Sequence, residues 1–559
     1  MSRKKYNLPK TMVGRGKTTV LIFVLVYLFL IYRLADIQIL KSDEYKQRQE
    51  NQSTEKIDLN TGRGVIYDRN NQPLTDKKKE TVLIVQKEKF INDSSIRNLV
   101  KEVSNLSDKE IYKEIEEQTE SSIFEIQVNN ISKKMEEKLL EKNIIVSKRS
   151  IRYDEDSLLS HTIGYINKKD KIGQYGIERS MDEVLNASNE EYISVFKVGE
   201  AGRKEGLDVL KGSIKTVTKD DKDKHIKLTI DKNIQKIVEK VVDKEANPTA
   251  VIISDVESGE ILSMSSRPNF DQNDIGKYIS DTEKSKGELR NRVIQNTYAP
   301  GSVFKIVTLY AALDTKIIDE NYTYNCTGNT KIGKNKEILN CHNKEGHGIQ
   351  SLTEAFANSC NTAFFDIANK VGKSKIIEYA KKLHLDKKVD IGLEEEVNRE
   401  IPKDISIRNL AIGQGSMEFT PIQINQMTQI IANNGTYKPL YIYDSIVDNN
   451  KSILKNFNQS KEDKIISPYT LTIVKDMMKK VSLSGTGEAL KDLEGGCGVK
   501  TGTAQTNIDG ISVNNGWITG FYPSDTPKYT ITVIVEGTKE ESKSALPIFK
   551  EICKNLKYK

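Results

Sequence analysis

Ser302 and Lys305 have the types and the spacing of a nucleophile and its base. Pro300 and Gly301 interrupt the preceding structure, and the apolar run at residues 306–313 predicts that Ser302 opens a buried helix. Side chains three residues apart share one face of a helix. Lys305 can therefore take the proton of the Ser302 hydroxyl if burial lowers its pKa. The spacing is common in helices, so its meaning depends on the motifs that accompany it.

Two further motifs follow along the chain, Ser359-Cys360-Asn361 and Lys500-Thr501-Gly502-Thr503. A hydroxyl and a carboxamide two residues apart can relay a proton and hold a substrate amide. The second motif, on a strand, offers a cation and two hydroxyls to a carboxylate, and its glycine leaves the strand edge open to an extended peptide. The backbone N–H groups of Ser302 and Thr503 would form an oxyanion hole. Three such motifs in this order are a strong signal of acyl transfer.

Strands and helices are predicted around these motifs in one domain, residues 245–559. Residues 249–254 and 261–265 are predicted to form a hairpin, because β-branched residues flank a glycine turn. A helix at residues 352–357 precedes the second motif, and a strand at residues 516–521 faces the third. These elements would bring the three motifs to one cleft.

The composition of the chain excludes some classes of function. Of its 559 residues, 37% are hydrophobic and 29% are charged. A chain of this length is too long for one compact core. The net charge of +6 is small for this length, so nucleic acid is not indicated as a partner. Five cysteines are too few for a disulfide scaffold, and we interpret Cys360 and Cys497 as small packing residues.

The N-terminus has the pattern of a single membrane anchor. Residues 1–17 carry six basic side chains and no acidic one, and residues 20–31 are almost wholly apolar. We therefore predict a cytoplasmic tail at residues 1–17, a transmembrane anchor at residues 18–40 and an extracytoplasmic remainder. A cleaved signal peptide is the alternative, but no small-x-small site follows the apolar stretch. A buried core helix is also less consistent, because no amphipathic stripe is present.

Residues 41–244 are predicted to form an α+β domain that supports the C-terminal one. Short apolar runs alternate there with dense lysine and glutamate, and Asp231 is placed to cap a helix. The predicted fold class of the whole chain is α+β, with an antiparallel sheet flanked by helices in the C-terminal domain.

Together these motifs resemble those of the class B penicillin-binding proteins, the monofunctional D,D-transpeptidases of peptidoglycan, as found in low-GC Gram-positive bacteria. The resemblance covers most of the chain. Beyond the three motifs, the shared segments are Gly62-Arg63-Gly64-Val65-Ile66-Tyr67-Asp68-Arg69-Asn70, Gly176-Ile177-Glu178, Ser258-Gly259-Glu260-Ile261-Leu262-Ser263-Met264, Gly413-Gln414-Gly415, Thr420-Pro421, Asn433-Asn434-Gly435 and Ser484-Gly485-Thr486-Gly487. It implies a dimerisation-like pedestal at residues 41–244 and a penicillin-recognising domain at residues 245–559.

The resemblance also implies roles for the motif residues. Ser302 would attack the D-Ala-D-Ala carbonyl of a stem peptide, and Lys305 would take its proton. Ser359 would pass a proton towards the leaving group with Lys500 nearby, and Asn361 would hold the donor amide.

The substrate-binding residues and the partners follow from the same resemblance. Thr501 and Thr503 would bind the terminal carboxylate beside Gly502. An acceptor amine from a neighbouring strand would resolve the acyl-enzyme, which β-lactams imitate. A glycosyltransferase of the SEDS family is the expected protein partner, and catalysis needs no cofactor.

Two other functions share these motifs. A serine β-lactamase needs a base for deacylation, and Glu394-Glu395-Glu396-Val397-Asn398 superficially matches the Glu-x-x-Leu-Asn pattern of such enzymes. It lies in an acidic run, and a secreted hydrolase would not need a pedestal. A β-lactam sensor or a silent scaffold is the third possibility, against which the complete motifs argue.

Cysteine and histidine are concentrated in one short segment after the predicted nucleophile helix. Cys326, Cys341, His342 and His347 fall within 22 residues of a chain with few of either type. A disulfide between the two cysteines is one interpretation. A structural zinc held by Cys326, Cys341 and His342, with Asp314 or His347 as fourth ligand, is the other, slightly favoured because a disulfide leaves the extra histidine without a role.

Overall fold

The structure is a computed structural model of the chain. The residues that it describes are 10–36, 38, 41, 54–58, 63–118, 123–167, 171–186, 191–196, 215–218, 224–280, 287–332, 337–457, 462–508, 511–538 and 544–556. Residues 1–9 of the predicted cytoplasmic tail and residues 37, 39 and 40 of the predicted anchor lie outside them.

The described chain contains both helices and strands throughout, consistent with a mixed α and β fold. The helices are α1 (Lys10–Ala35), α2 (Lys87–Asn92), α3 (Ser94–Ser104), α4 (Asp108–Glu117), α5 (Lys133–Glu141), α6 (Ser160–Ile163), α7 (Gly176–Ser180), α8 (Asp182–Leu185), α9 (Lys232–Val242), α10 (Gly276–Ser280), α11 (Lys305–Asp314), α12 (Leu352–Ala357), α13 (Asn361–Val371), α14 (Lys373–Lys382), α15 (Ile407–Ile412), α16 (Pro421–Ala432), α17 (Pro468–Ser484) and α18 (Ala545–Asn555).

The strands, in the same order of the chain, are β1 (Thr54–Asp58), β2 (Ile66–Tyr67), β3 (Lys78–Gln86), β4 (Ile123–Val128), β5 (Ile145–Ile151), β6 (Glu191–Phe196), β7 (Lys215–Thr218), β8 (His225–Leu228), β9 (Thr249–Asp255), β10 (Ile261–Arg267), β11 (Thr323–Cys326), β12 (Asn329–Ile332), β13 (Glu337–Asn340), β14 (Gly348–Ser351), β15 (Thr436–Tyr437), β16 (Tyr443–Val447), β17 (Ile453–Asn456), β18 (Asp463–Lys464), β19 (Gly498–Ile508), β20 (Ile511–Tyr522) and β21 (Tyr529–Thr538).

The chain divides into two compact units that are interleaved in sequence. The smaller unit consists of residues 1–60, 80–149 and 190–219, and the larger unit of residues 61–79, 150–189 and 220–559. Three segments that lie far apart in the sequence therefore fold together in the larger unit.

The core of the smaller unit lies against the sheet β4-β3-β5. Leu83, Phe90, Phe124 and Leu139 are fully buried there, contributed by strands β3 and β4 and by helices α2 and α5. Helix α4 begins with a capping box, in which the Ser107 and Glu110 side chains each accept a hydrogen bond from the other residue's backbone N–H. A second sheet of this unit has the order β1-β6-β7.

The larger unit is built on a five-stranded antiparallel sheet with the order β10-β9-β21-β20-β19. The predicted hairpin is present as β9 and β10, and almost all of its residues are buried. A sheet buried on both faces needs helices on each side, because continuous apolar strands leave no face for water. All twelve residues of α16 are buried, and α9 begins at its predicted cap, where the Asp231 carboxylate accepts from two backbone N–H groups.

A buried ion network joins two of the three segments of the larger unit. Glu178 and Arg63 have fully buried side chains 2.9 Å apart, and Arg152 and the hydroxyl of Tyr153 also donate to the Glu178 carboxylate. Arg152 in turn pairs with Asp76 at 2.7 Å. Each guanidinium thus has a carboxylate partner, as burial of a charge requires.

Helix α1 covers most of the predicted anchor. Its apolar side chains from Val20 to Ile31 are between 48% and 70% exposed. Among the residues described, no helix combines the length and the apolarity that crossing a membrane requires. The anchor at residues 18–40 stays a prediction.

Candidate active site

A short turn carries the predicted nucleophile into the buried helix. Residues Gly301–Phe304 form a 3₁₀ turn, and α11 continues from Lys305 with nine of its ten residues buried. Residues three apart eclipse each other in a 3₁₀ turn, so Ser302 and Lys305 lie on the same side. Gly301 has a φ of +55°, and its N–H donates to the Gly413 carbonyl at 2.8 Å.

Lys305 is completely buried, and its ammonium end points at the second motif. Its Nζ donates to Asn361 Oδ1 at 2.7 Å, to the Ser359 carbonyl at 2.6 Å and to Ser359 Oγ at 3.2 Å. Burial lowers the pKa of Lys305 to about 7, against a smaller opposing effect of the Cys360 and Cys341 thiols. A lysine with this pKa is partly neutral near pH 7 and can accept a proton.

Ser359 lies between Lys305 of the first motif and Lys500 of the third. It sits between α12 and α13 with a φ of +55°, an uncommon conformation for a residue other than glycine. Lys500 Nζ donates to Ser359 Oγ at 3.0 Å. Burial, and then the charge of Lys305, lower the pKa of Lys500 well below its usual value.

The third motif lies on β19, which occupies the edge of the five-stranded sheet. The hydroxyl oxygens of Thr501 and Thr486 are 2.6 Å apart. A Cβ at Gly502 would lie 2.9 Å from the Pro300 carbonyl oxygen, so only glycine fits against the nucleophile turn. Thr503 is half-buried and its carbonyl accepts from Gln414 Nε2 at 3.2 Å.

A cleft of about 490 Å³ brings the three motifs together. Ser302, Ser359 and Asn361 line it, and so does β19 from Thr501 to Thr503. The sequence interpretation did not assign several other lining residues to the active site, among them Arg408, Gln414, Thr486 and Gln505. His342, predicted as a metal ligand, also lines the cleft. Gln414 and Thr486 lie in glycine-rich segments that the resemblance to the family had already singled out. The arrangement can hold an extended peptide beside a hydroxyl and two lysines, which is the chemistry of acyl transfer.

Comparisons of the sequence with known proteins identify two domain families in this chain. Residues 249–554 match the penicillin binding protein transpeptidase domain, and residues 58–212 match the penicillin-binding protein dimerisation domain. Stage V sporulation protein D of Bacillus subtilis is 30% identical over 93% of this chain and 81% of the relative. Peptidoglycan D,D-transpeptidase MrdA of Escherichia coli is 24% identical over 91% of this chain and 88% of the relative.

This chain belongs to the class B penicillin-binding proteins. It is a serine-type peptidoglycan D,D-transpeptidase of cell wall synthesis. A solved structure of a peptidoglycan synthase complex that coordinates polymerization and crosslinking is similar in fold, with a TM-score of 0.70, 21% identity and coverage of 97% of this chain and 98% of the other.

A cluster of possible metal ligands lies beside the active site of this penicillin-binding protein. Cys326, Cys341, Cys360 and His347 each offer an atom, and these atoms lie within 4.8 Å of one another. Sγ of Cys341 is 3.8 Å from Sγ of Cys360 and 3.6 Å from Nδ1 of His347. A tetrahedral zinc with Zn–S bonds of about 2.3 Å separates its sulfur ligands by about 3.8 Å, so the donor set fits zinc.

Two thiols of the cluster, those of Cys341 and Cys360, lie in contact and affect each other's ionisation. Their contact lowers the pKa of Cys341 to about 6 and raises that of Cys360 to about 11. One thiolate is thereby favoured near pH 7, and thiolate is the form that binds metal. All five cysteines of the chain are free thiols, and no disulfide links Cys326 to Cys341 within the described residues.

Two of the predicted metal ligands are not members of this cluster. Asp314 accepts a hydrogen bond from the Tyr379 hydroxyl at 2.7 Å and is outside the cluster. His342 lines the cleft, and its Nδ1 is 3.9 Å from Sγ of Cys341. Cys360, interpreted from sequence as a packing residue, lies within the cluster. Its position inside the Ser-Cys-Asn motif favoured a packing role. The scarcity of cysteine in this chain is the signal that could have identified it as a ligand.

The acidic run that resembled a β-lactamase base has structural contacts instead. Glu394 forms a surface ion pair with Arg179 at 2.8 Å. Glu396 is buried and accepts hydrogen bonds from the backbone N–H groups of residues 389–391. Neither residue is among the described residues that line the cleft.

Proposed function

We propose that Ser302 is the nucleophile of the D,D-transpeptidase reaction and that Lys305 is its general base. The observation that carries this assignment is that two buried lysines contact the same side chain, the hydroxyl of Ser359 in the second motif. Nζ of Lys305 and Nζ of Lys500 lie 3.2 and 3.0 Å from Ser359 Oγ. Two ammonium groups this close cannot both be charged at low cost, so one lysine is held neutral and can accept a proton.

Acylation begins when Ser302 Oγ bonds to the carbonyl carbon of the penultimate D-Ala of the donor stem peptide. The hydroxyl proton passes to Lys305 Nζ. The backbone N–H groups of Ser302 and Thr503 stabilise the negative charge on the oxygen of the tetrahedral intermediate. The C–N bond to the terminal D-Ala then breaks, and its nitrogen receives a proton from Lys500 through the Ser359 hydroxyl.

The second half-reaction reverses these proton transfers. An acceptor amine attacks the ester carbon and gives a proton back to Lys500 through Ser359. The bond to Ser302 Oγ breaks, and Lys305 returns the proton to that oxygen. β-Lactams acylate the same serine but leave no free departing group, which is why they block the enzyme.

The neighbouring side chains position the donor peptide. Lys305 donates to Oδ1 of Asn361, whose Nδ2 donates to the Asn340 carbonyl at 3.4 Å. In the complex this Nδ2 would donate to the carbonyl of the donor amide. The hydroxyls of Thr501 and Thr503 bind the terminal carboxylate, and Gly502 lets the peptide backbone approach the strand edge.

Labelling with a fluorescent penicillin tests the nucleophile. Ser302→Ala is expected to abolish covalent labelling of the full-length chain, because Ser302 is the hydroxyl residue of the turn Gly301–Phe304 and the proposed point of attachment. Ser374→Ala, on the exposed start of α14, is the matched control and keeps wild-type labelling. Retained labelling of Ser302→Ala would contradict the assignment of Ser302 as the nucleophile. Steady turnover of a chromogenic cephalosporin, in place of one stoichiometric burst, would indicate a β-lactamase instead.

We also propose that Cys326, Cys341, Cys360 and His347 bind a structural zinc ion. This set replaces His342 and Asp314 of the sequence prediction, and it is supported by the ligand atoms that lie within 4.8 Å of one another. The metal would tie strand β11 and the segment after β13 to the Ser-Cys-Asn motif. It would brace the loop that holds Ser359 and Asn361 without joining the acyl transfer.

Metal analysis of the purified full-length chain tests this site. We expect one zinc per chain in the wild type and a clear loss in His347→Asn after dialysis against a chelator. His384→Asn is the matched control, because His384 stacks on Tyr437 outside the cluster. A wild-type chain without zinc, above all one with a disulfide, would contradict the proposal.

The location and the assembly of the enzyme follow from the proposed anchor. We propose that residues 1–17 are cytoplasmic, that residues 18–40 cross the cell membrane once, and that the catalytic unit is extracytoplasmic. The exposure of the apolar side chains on all sides of α1 supports this assignment. The pedestal at residues 41–244 and the transpeptidase domain at residues 245–559 stay proposals, as does a SEDS-family glycosyltransferase as partner.

A further inference from the structure

The lining of the active-site cleft is unbalanced in charge. Among the described residues that line it, none carries a carboxylate, and Arg408 is the one arginine or lysine. The catalytic lysines lie beneath the surface with no exposed side-chain area. The rest of the lining is neutral, and much of it consists of amides and hydroxyls. A cleft of this composition favours an anionic peptide over a cationic one.

The direction of the bound peptide follows from the shape of the cleft. On β19 the lining residues run from Thr501 through Thr503 to Gln505, and Asn514 on the paired strand extends the same wall. Thr486 lines the cleft beside Thr501, and the hydroxyl oxygens of the two residues lie 2.6 Å apart. With the terminal carboxylate at Thr501 and Thr503, the part of the β19 lining that is left for the preceding residues is the part towards Gln505.

Arg408 is fixed relative to the nucleophile through α15. It is the second residue of this helix and is half-buried. The helix ends at Gly413, whose carbonyl accepts from the Gly301 N–H at 2.8 Å, and Gln414 next to it donates to the Thr503 carbonyl. Arg408 is five residues before Gly413, which corresponds to about 7.5 Å along the helix axis.

We propose that Arg408 binds a carboxylate on the side chain of the residue that precedes D-Ala-D-Ala in the donor peptide. The inference rests on the proposed transpeptidase function. That residue is adjacent to the attacked one, with its Cα about 3.8 Å further along the chain, so its side chain reaches the Gln505 end of the cleft. A guanidinium matches a carboxylate with two parallel hydrogen bonds, which a lysine at this position would not reproduce.

A matched pair of peptides tests this subsite in the full-length chain in detergent. N-acetyl-Glu-D-Ala-D-Ala and N-acetyl-Gln-D-Ala-D-Ala differ only in a carboxylate and its isosteric amide. The readout is the peptide concentration that halves the rate at which a fluorescent penicillin labels Ser302. We expect the wild type to be protected by the Glu peptide at a concentration about 10-fold lower than by the Gln peptide.

Substitutions of Arg408 should change that ratio. Arg408→Gln is expected to bring it close to one, and Arg408→Lys to an intermediate value, because an ammonium is a point charge. Arg179→Gln, on a surface arginine paired with Glu394, is the matched control and keeps the wild-type ratio. Thermal unfolding checks that each variant folds, and Arg408→Lys replaces Arg408→Gln if the latter does not.

Several results would overturn the proposal. A wild-type ratio near one, a lack of protection by both peptides, or an Arg408 variant with the wild-type ratio would each do so. All three would leave the proposed transpeptidase intact, since labelling of Ser302 continues. Failure of the wild type to be labelled at Ser302 is the separate result that would contradict the transpeptidase mechanism itself.

Discussion

Lys305 gives the enzyme a pH dependence that can be measured. Burial lowers the pKa of this lysine from its usual value near 10.5 to about 7. As the proposed base, the amine is mostly neutral above that pH and would accept the Ser302 proton, whereas below it the ammonium cannot. We therefore expect the rate of acylation by a fluorescent penicillin to rise with pH up to about 7 and then level off. Below the pKa it should fall about tenfold per pH unit.

The control for this pH profile is a measurement of folding stability. Thermal unfolding measured over the same pH range separates loss of structure from protonation of the base. A rate that is flat between pH 5 and pH 8, or that falls as the pH rises through 7, would contradict Lys305 as the base.

At the level of single residues, the sequence predicted the motif positions but not the contacts between them. Ser302, Ser359 and Lys500 were recognisable because their spacing repeats a chemical pattern. That both lysines meet at Ser359 Oγ depends on how α11, α13 and β19 pack, and spacing alone does not encode this. Cys360 was missed for the same reason, since its partners lie 13, 19 and 34 positions earlier in the chain.

Among the elements, the nucleophile turn depends on glycine at position 301. Its φ of +55° is unfavourable for other residues, and a Cβ there would lie 2.5 Å from the Thr503 carbonyl oxygen. Gly301→Ala is therefore expected to lower the free energy of unfolding by at least ~1 kcal/mol. It should also slow penicillin acylation, because the clash pushes the turn away from β19.

The chain offers a matched control for this change. Gly276 lacks a positive φ and would place a Cβ in open space, so Gly276→Ala should leave both quantities unchanged. Thermal unfolding and acylation rates of the two variants give the comparison. Equal behaviour of the two alanines would contradict the account of the turn.

The sequence predicted the elements around the site better than their exact forms. The buried helix after Ser302, the cap at Asp231 and the hairpin of β9 and β10 are all present. The 3₁₀ form of the nucleophile turn was not predicted, because it arises from tertiary contacts of Gly301 with Gly413 and Thr503. Local apolar periodicity does not report such contacts.

At the scale of the whole molecule, Glu178 holds distant segments of the larger unit together. Replacing it by glutamine would leave Arg63 and Arg152 buried beside a neutral amide. We expect Glu178→Gln to lower the free energy of unfolding by ~3–5 kcal/mol. Chemical denaturation of the full-length chain measures this change.

Glu183→Gln is the matched control, since this exposed glutamate lies only five residues further along. It should change the stability little, as is usual for surface substitutions. A small effect of Glu178→Gln would show that the buried network contributes little to the larger unit.

The interleaving of the two units was beyond the reach of the sequence. Residues 61–79 and 150–189 look like parts of an N-terminal domain, yet they pack with residues 220–559. The parallel pairing of β2 with β8, which are about 160 residues apart, illustrates why. Such pairings are decided by contacts between residues far apart in the sequence, and local sequence patterns do not report these contacts.

The edge position of β19 has a consequence for resistance to antibiotics. Besides the Thr501 and Thr503 hydroxyls, an extended peptide paired with this strand would use main-chain groups, which every amino acid shares. No side-chain replacement on β19 can therefore remove those groups from an inhibitor while keeping them for the natural donor. A mutational route to resistance that preserves wall synthesis has to pass through residues that touch one of the two compounds and not the other.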